Sequence, residues 1–184
     1  MTTIINLYGG PGIGKSVIAR YLAARMSIAG EKVELVSEYV KSWAWEKRTI
    51  GPFDQLYFVG QQAKKEYILL GNVDWVVTDS PVALCVVYSN KYSPKKIALG
   101  IEQMCQGYYD TLQEAGHKVL NIMLTRDERP YNGEGRFETE DEAKLVDIQI
   151  RDMLTKLNFT VYEMPANAES VYGWMSRKGL ALGK

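Results

Sequence analysis

The run GGPGIGKS, residues 9–16, decides most of what this chain can fold into. It fits the pattern G-x-x-x-x-G-K-[ST] at Gly9, Gly14, Lys15 and Ser16. Glycines let the backbone curl until successive N–H groups point at one anion. A lysine then neutralises that anion and a serine hydroxyl can ligate a divalent cation. The surroundings are those the loop requires. Thr3–Tyr8 ahead of it is a short apolar run of buried-strand character. Ser16–Ile28 behind it sets Val17, Ile18, Tyr21, Leu22 and Met26 on one side of a helix that Gly30 ends. A glycine-rich turn that binds nothing is the plainer alternative, and the strand–loop–helix context weighs against it. Gly9, Gly10, Pro11, Gly12, Ile13, Gly14, Lys15, Ser16 and Val17 are therefore expected to hold the phosphates of ATP or GTP.

The pattern then alternates. Lys32–Ser37, Trp75–Thr78, Lys118–Leu124 and Phe159–Met164 read as strands. Between them, Asp54–Leu70 reads as a helix with Phe58, Val59, Ala63, Tyr67 and Leu70 on its buried side. Ser93-Pro94 reads as an N-cap with a first-turn proline, opening a helix that carries Ile97, Ile101, Met104, Tyr108 and Leu112. Thr139 and Glu142 form a capping-box pattern before Val146, Ile150, Met153 and Leu157. A last short helix follows Asn167. Strands alternating with helices predict one α/β domain over residues 1–184, a three-layer αβα sandwich with a five-stranded parallel sheet. A chain of 184 residues buries one sizeable core.

Charge and cysteine usage bound the partners. Lys plus Arg equals Asp plus Glu at 22 each, which argues against a protein living mainly on attraction to polyanions. The distribution is uneven: 12 basic against 8 acidic side chains over residues 1–100, and 10 against 14 over the rest. Cys85 and Cys105 lie in apolar helical surroundings without metal-type spacing and read as reduced thiols of a cytoplasmic protein. The single histidine, His117, opens a strand pattern, which argues against His-based triads and metal sites. No signal-peptide core and no run of membrane-spanning length is expected.

In an open α/β sheet, ligands bind beyond the carboxyl ends of the strands. Two acids are expected there. Glu38 ends the second strand in VELVSEYVKSWAWEK and reads either as a cap for the next helix or as an acid held at the working edge. Asp79 ends the third strand in DWVVTDSP, where it caps a helix beginning at Pro81, holds Mg²⁺ together with Ser16, or does both. Tyr39 and Trp43, four apart, share a helical face and read as a flat wall for a base or as packing, whereas Trp45 points elsewhere and belongs to the fold. Gln61, Gln62, Lys64 and Lys65 read as solvated surface or as contacts to a polar acceptor. The stretch after the fourth strand, about residues 126–138, is polar and holds Pro130, Gly133, Gly135 and the arginines Arg126, Arg129 and Arg136. It reads as a flexible lid whose arginines neutralise a transferring phosphoryl group, or as a solvated loop whose arginines pair with neighbouring acids.

GGPGIGKS, SEYVKSWAWE, TDSP and the arginine-bearing lid together resemble the small P-loop kinases of nucleosides and nucleotides. The likeness is nearest to the nicotinamide riboside kinase-like group, particularly the kinase domain fused to bacterial nicotinamide adenylyltransferases. Phage-type small kinases are also similar. The resemblance implies a Mg²⁺-dependent transfer of the γ-phosphate of ATP to a hydroxyl. Glu38 would be the general base or orienting group, Asp79 would help hold Mg²⁺, and Lys15, Arg129 and Arg136 would act on the phosphates. Similar kinases act on free nucleosides and nucleotides or on hydroxymethylated bases in DNA, so both acceptor classes stand. An NTP-hydrolysing switch or assembly ATPase without an acceptor is the alternative from another class. A membrane partner is not expected, and association into a homo-oligomer is compatible with the sequence.

Overall fold

The computed structural model describes residues 1–126, 131, 138–178 and 180. Most of the expected lid, with Arg129 and Arg136, lies outside the described residues. Five strands form one sheet: β1 (Thr3–Tyr8), β2 (Val33–Val36), β3 (Trp75–Thr78), β4 (Lys118–Thr125) and β5 (Val161–Pro165). Every pairing is parallel and the order is β2-β3-β1-β4-β5. The chain therefore moves outward from β1 on one side and then crosses to the other, and β1 stands in the middle.

Alternation along the central strands assigns the two faces. Ile5 and Leu7 of β1 and Val77 of β3 pack with Ile18, Leu22 and Met26 of α1 (Lys15–Ile28) and with Val171 and Met175 of α7 (Ala168–Arg177). Ile4 and Tyr8 of β1 and Val76 of β3 face the opposite layer. That layer is built by α3 (Asp54–Tyr67), α4 (Leu84–Tyr92), α5 (Lys95–Glu114) and α6 (Glu140–Lys156). Buried on both faces, β1 and β3 are near-continuous apolar runs, as a parallel sheet requires. The five-stranded αβα sandwich expected from the sequence is the fold observed.

Local starts and stops follow the expected chemistry with one exception. Thr139 caps α6 in a complete capping box with Glu142, and Asn167 caps α7 by accepting the Ser170 N–H. At α5 the expected Ser93 cap is absent. Pro94 is itself the N-cap residue, and the buried Ser93 Oγ makes no hydrogen bond. No helix among the described residues is long and apolar enough to cross a membrane.

The α3–α6 face carries an unusual polar seam. Asn6 and Asn121 stand opposite each other in the β1–β4 register and share a hydrogen bond of 3.0 Å. Glu66 of α3 is fully buried; Tyr108 of α5 donates to its Oε2 at 2.8 Å, while its Oε1 has no partner. Burial holds the Glu66 carboxyl as a neutral acid, pushed up from 4.5 to about 8. A folded-state value above the unfolded one gives stability that is complete below pH 4.5 and lost as pH rises through 8. Over that window the loss attributable to Glu66 is roughly 3–5 kcal/mol. Denaturant titrations at pH 5 and pH 8.5 should show Glu66→Gln losing much less of its stability than the wild-type chain over that interval. An unchanged pH dependence in the variant would contradict this account.

Candidate active site

The phosphate loop runs from the end of β1 to the start of α1. No side chain caps α1, whose N-cap is Gly14, and its first turn holds no acid. The positive end of the helix therefore meets the loop without a carboxylate of its own. Lys15 turns back over the loop, donating to Gly9 O at 2.6 Å and to Gly10 O at 3.1 Å. Gly12 has φ +77°, and a Cβ there would stand 2.5 Å from the Tyr131 ring, so backbone and space both exclude a side chain. Ile13 is buried, Ser16 is partly exposed at the first turn of α1, and Val17 is 65% exposed. Arg126 leaves β4 and lies against this loop, its Nη2 donating to Pro11 O at 2.8 Å.

Glu38 and Asp79 meet at the same edge. Asp79 follows β3, is buried, and accepts the Glu38 backbone N–H on Oδ1 at 2.9 Å. That bond ties the end of β2 to the end of β3. Neither acid caps a helix. The short helix α2 (Lys41–Trp45) has Val40 as its N-cap residue and α4 has Ala83, both without a side-chain cap. Ser16 and Asp79 present hydroxyl and carboxylate oxygens, the hard donors that Mg²⁺ takes while phosphates and waters fill its remaining positions. The described residues hold no cluster of three or more acidic, His or Cys side chains competing for such an ion. These donor types suit a Mg²⁺ ion carried by a nucleotide.

A cleft of about 770 Å³, open mouth included, joins the two parts of the site. Pro11 and Lys15 of the loop line it at one end. Glu38, Tyr39, Gln55, Phe58, Gln62, Cys85, Tyr88 and Glu138 line it as well. Its mostly apolar lining, interrupted by a few polar groups, is of the kind that binds an organic ligand. Gln62 is buried; its Nε2 lies 3.5 Å from Thr78 Oγ1, and its Oε1 makes no hydrogen bond. A buried amide oxygen without a donor costs about 1–3 kcal/mol, which a donor on a bound molecule would recover. Glu138 is anchored by Lys91 Nζ at 3.3 Å and Tyr92 OH at 3.2 Å. Both cysteines are free thiols pushed up by burial, Cys105 to about 12, so neither is an available nucleophile.

The aromatics divide differently from their sequence pattern. Tyr39 lies on the cleft wall, edge-on to Tyr57, with their hydroxyls 2.7 Å apart. Trp43 is buried behind that wall, edge-on to Phe58 and covered by the Arg48 guanidinium 3.5 Å from its ring centre. It does not line the cleft, whereas its neighbour Ala44 does. Trp45, expected to belong to the fold, is 61% exposed.

A parallel sheet with a phosphate loop at the end of its central strand and a cleft beside it defines a P-loop α/β protein of the nucleoside- and nucleotide-kinase type of fold. A family model described as an AAA domain matches residues 4–170, and the chain belongs to that family. Among curated proteins none matches the sequence. Solved structures do. A NadR protein in complex with NR superposes with a TM-score of 0.74 at 14% identity, covering 100% of this chain and 53% of the other. A NadR protein in complex with NAD and AMP-PNP gives 0.71 at 13% identity, covering 100% of this chain and 51% of the other. The chain thus spans about half the length of the NadR chains it resembles. Deoxyadenosine kinase from M. mycoides, with dCMP and dCDP products bound, gives 0.57 at 14% identity, covering 95% and 97% of the two chains. At these identities the likeness establishes the fold.

Proposed function

We propose that the protein is a Mg²⁺-dependent kinase that moves the γ-phosphate of ATP to a hydroxyl of a nucleoside- or nucleotide-type acceptor. One observation carries the reading: Lys15 of the phosphate loop, Glu38 at the strand edge and the donor-seeking Gln62 amide line a single cleft. The neighbours in fold add support, since one NadR complex holds AMP-PNP, another holds NR, and the deoxyadenosine kinase holds nucleotide products.

The chemistry then divides among named groups. The loop amides and Lys15 bind the donor phosphates and balance their charge. Ser16 and Asp79 would hold a divalent cation, which would screen charge on the phosphates. Glu38 takes the proton of the acceptor hydroxyl as its oxygen bonds to the γ-phosphorus, and the bond from that phosphorus to the β–γ bridging oxygen breaks to leave ADP. Phe58 and Tyr39 offer apolar faces to a flat ring, and Gln62 Oε1 accepts a hydrogen bond from its polar edge.

A second reading, a hydroxymethylated base within DNA, has one observation in its favour. The segment flanking the cleft residues Ala44, Ile50 and Gln55 exposes Trp45, Phe53 and Tyr57 beside Lys47 and Arg48, a mixture suited to stacking bases and tracking phosphates. One assay separates these readings: γ-labelled ATP offered with free nucleosides, nucleotides, nicotinamide riboside, and normal and hydroxymethylated DNA. Label should appear on a free nucleoside or nucleotide. Gln62→Leu should raise the KM for that acceptor about tenfold or more without destabilising the fold. Label on DNA alone selects the second reading, and ATP hydrolysis without any labelled acceptor rejects both.

A further inference from the structure

Asp147, on α6, belongs to no motif, yet it meets the phosphate loop directly. Its Oδ1 accepts the Gly10 N–H and its Oδ2 pairs with Arg126 Nε. Arg126 uses its Nη2 on Pro11 O at 2.8 Å and on Ala143 O at 3.2 Å, so its guanidinium is directed by one carboxylate and two carbonyls. Three separate parts of the chain, the outer arm of the phosphate loop, the exit of β4 and the first turns of α6, converge on a single acid. The pair is well shielded, with the Arg126 and Asp147 side chains 21% and 16% exposed. The loop is shaped to admit this contact. A Cβ on Gly10 would stand 2.4 Å from Ala143 O and 2.8 Å from both Arg126 Nη2 and Asp147 Oδ1. Glycine at this position thus serves the docking of α6 rather than the wrapping of an anion.

We propose that Asp147 is a positioning residue for the nucleotide. By clamping Gly10 and Arg126 it fixes the outer arm of the phosphate loop, and the direction in which the chain leaves β4, before any ligand arrives. The proposal rests on the nucleotide-binding reading given above. A loop held in its binding form spares the ligand the entropy of ordering it. Charge-assisted hydrogen bonds are strong enough to hold such a form. Removing the carboxylate releases both partners together, so the loss should appear in donor affinity rather than only in stability.

Calorimetric titration of the full chain with AMP-PNP and Mg²⁺ tests it. Asp147→Ala should weaken binding at least about tenfold. Asp147→Asn keeps an oxygen for the Gly10 N–H but loses the charge facing Arg126, and should fall between. Gly10→Ala, whose methyl would press on Ala143 O, Arg126 Nη2 and Asp147 Oδ1 and so push α6 off the loop, should weaken binding in the same direction. Arg126→Gln added to Asp147→Ala should cost little more than Asp147→Ala alone, because both cut one network. If folded Asp147→Ala, with a cooperative melt, binds AMP-PNP within twofold of wild type, the proposal fails. Should that variant not fold, Asp147→Asn and Gly10→Ala decide by the same criterion. A wild-type chain that binds no AMP-PNP removes the nucleotide reading itself and this proposal with it, whereas a wild-type chain that binds beside unaffected variants removes the proposal alone.

Discussion

Glu38→Gln should lower turnover about 10²–10⁴-fold while leaving AMP-PNP affinity within twofold. The substitution keeps side-chain size and removes the basic oxygen. It leaves the bond to Asp79 intact, because that bond is donated by the Glu38 backbone N–H. The end of β2 therefore stays tied to β3, and the loss reads the chemistry rather than the fold. Glu38 and Lys15 line the same cleft, so a hydroxyl acceptor there is within the space shared by donor and base. Steady-state kinetics on the labelled acceptor, together with a nucleotide titration, separates the two quantities. Turnover that survives within a few-fold would show that the acceptor hydroxyl needs no proton acceptor at Glu38.

The second large effect is expected at Asp79. Asp79→Asn should reduce turnover about 10²-fold and move the magnesium dependence of activity to higher concentration, because a neutral amide oxygen is a much poorer ligand for a hard dication. Its oxygen can still accept the Glu38 N–H, so little stability should be lost. Asp79→Ala should show the same catalytic loss and in addition cost about 1 kcal/mol, since it leaves that partly buried N–H without its acceptor. Comparing the two variants by denaturant unfolding and by a magnesium titration of activity thus separates the structural bond from the charge. An Asn variant with wild-type magnesium dependence would show that Asp79 serves only to join the strands.

Much of this was legible in the sequence because short-range rules produce it. The phosphate loop, the α6 capping box, the Asn167 cap and the alternation of strands with helices each depend on residues within a few positions of one another. The cleft was harder to read. Gln62 reads as solvated surface or as an acceptor contact, and Tyr67 reads as core. In the structure Gln62 and Glu66 are buried and Tyr67 is 69% exposed. The angular position of α3 is set by α4 and α5 packing over it, including the Tyr108 hydroxyl that meets Glu66, and no local pattern encodes that. Asp147 escaped notice for the same reason: its partners Gly10 and Arg126 are 137 and 21 residues away. A weak signal for it existed, in an acid on the helix following an arginine-bearing segment, but a single carboxylate among many singles out nothing. For Trp43 the structure takes the packing alternative, since it is buried behind the cleft wall.

The wall of the cleft has a further consequence for how such a protein diversifies. Apart from Pro11, Lys15 and Glu138, its lining comes from one continuous stretch, residues 38–92, running from the end of β2 to the end of α4. The phosphate loop and the Asp147–Arg126 clamp against it lie outside that stretch. Under the proposed function, choice of acceptor therefore rests mainly on one stretch of chain. A graft of residues 38–92 between relatives, with Asp79 retained, should exchange what is phosphorylated while leaving the phosphate loop and its clamp untouched.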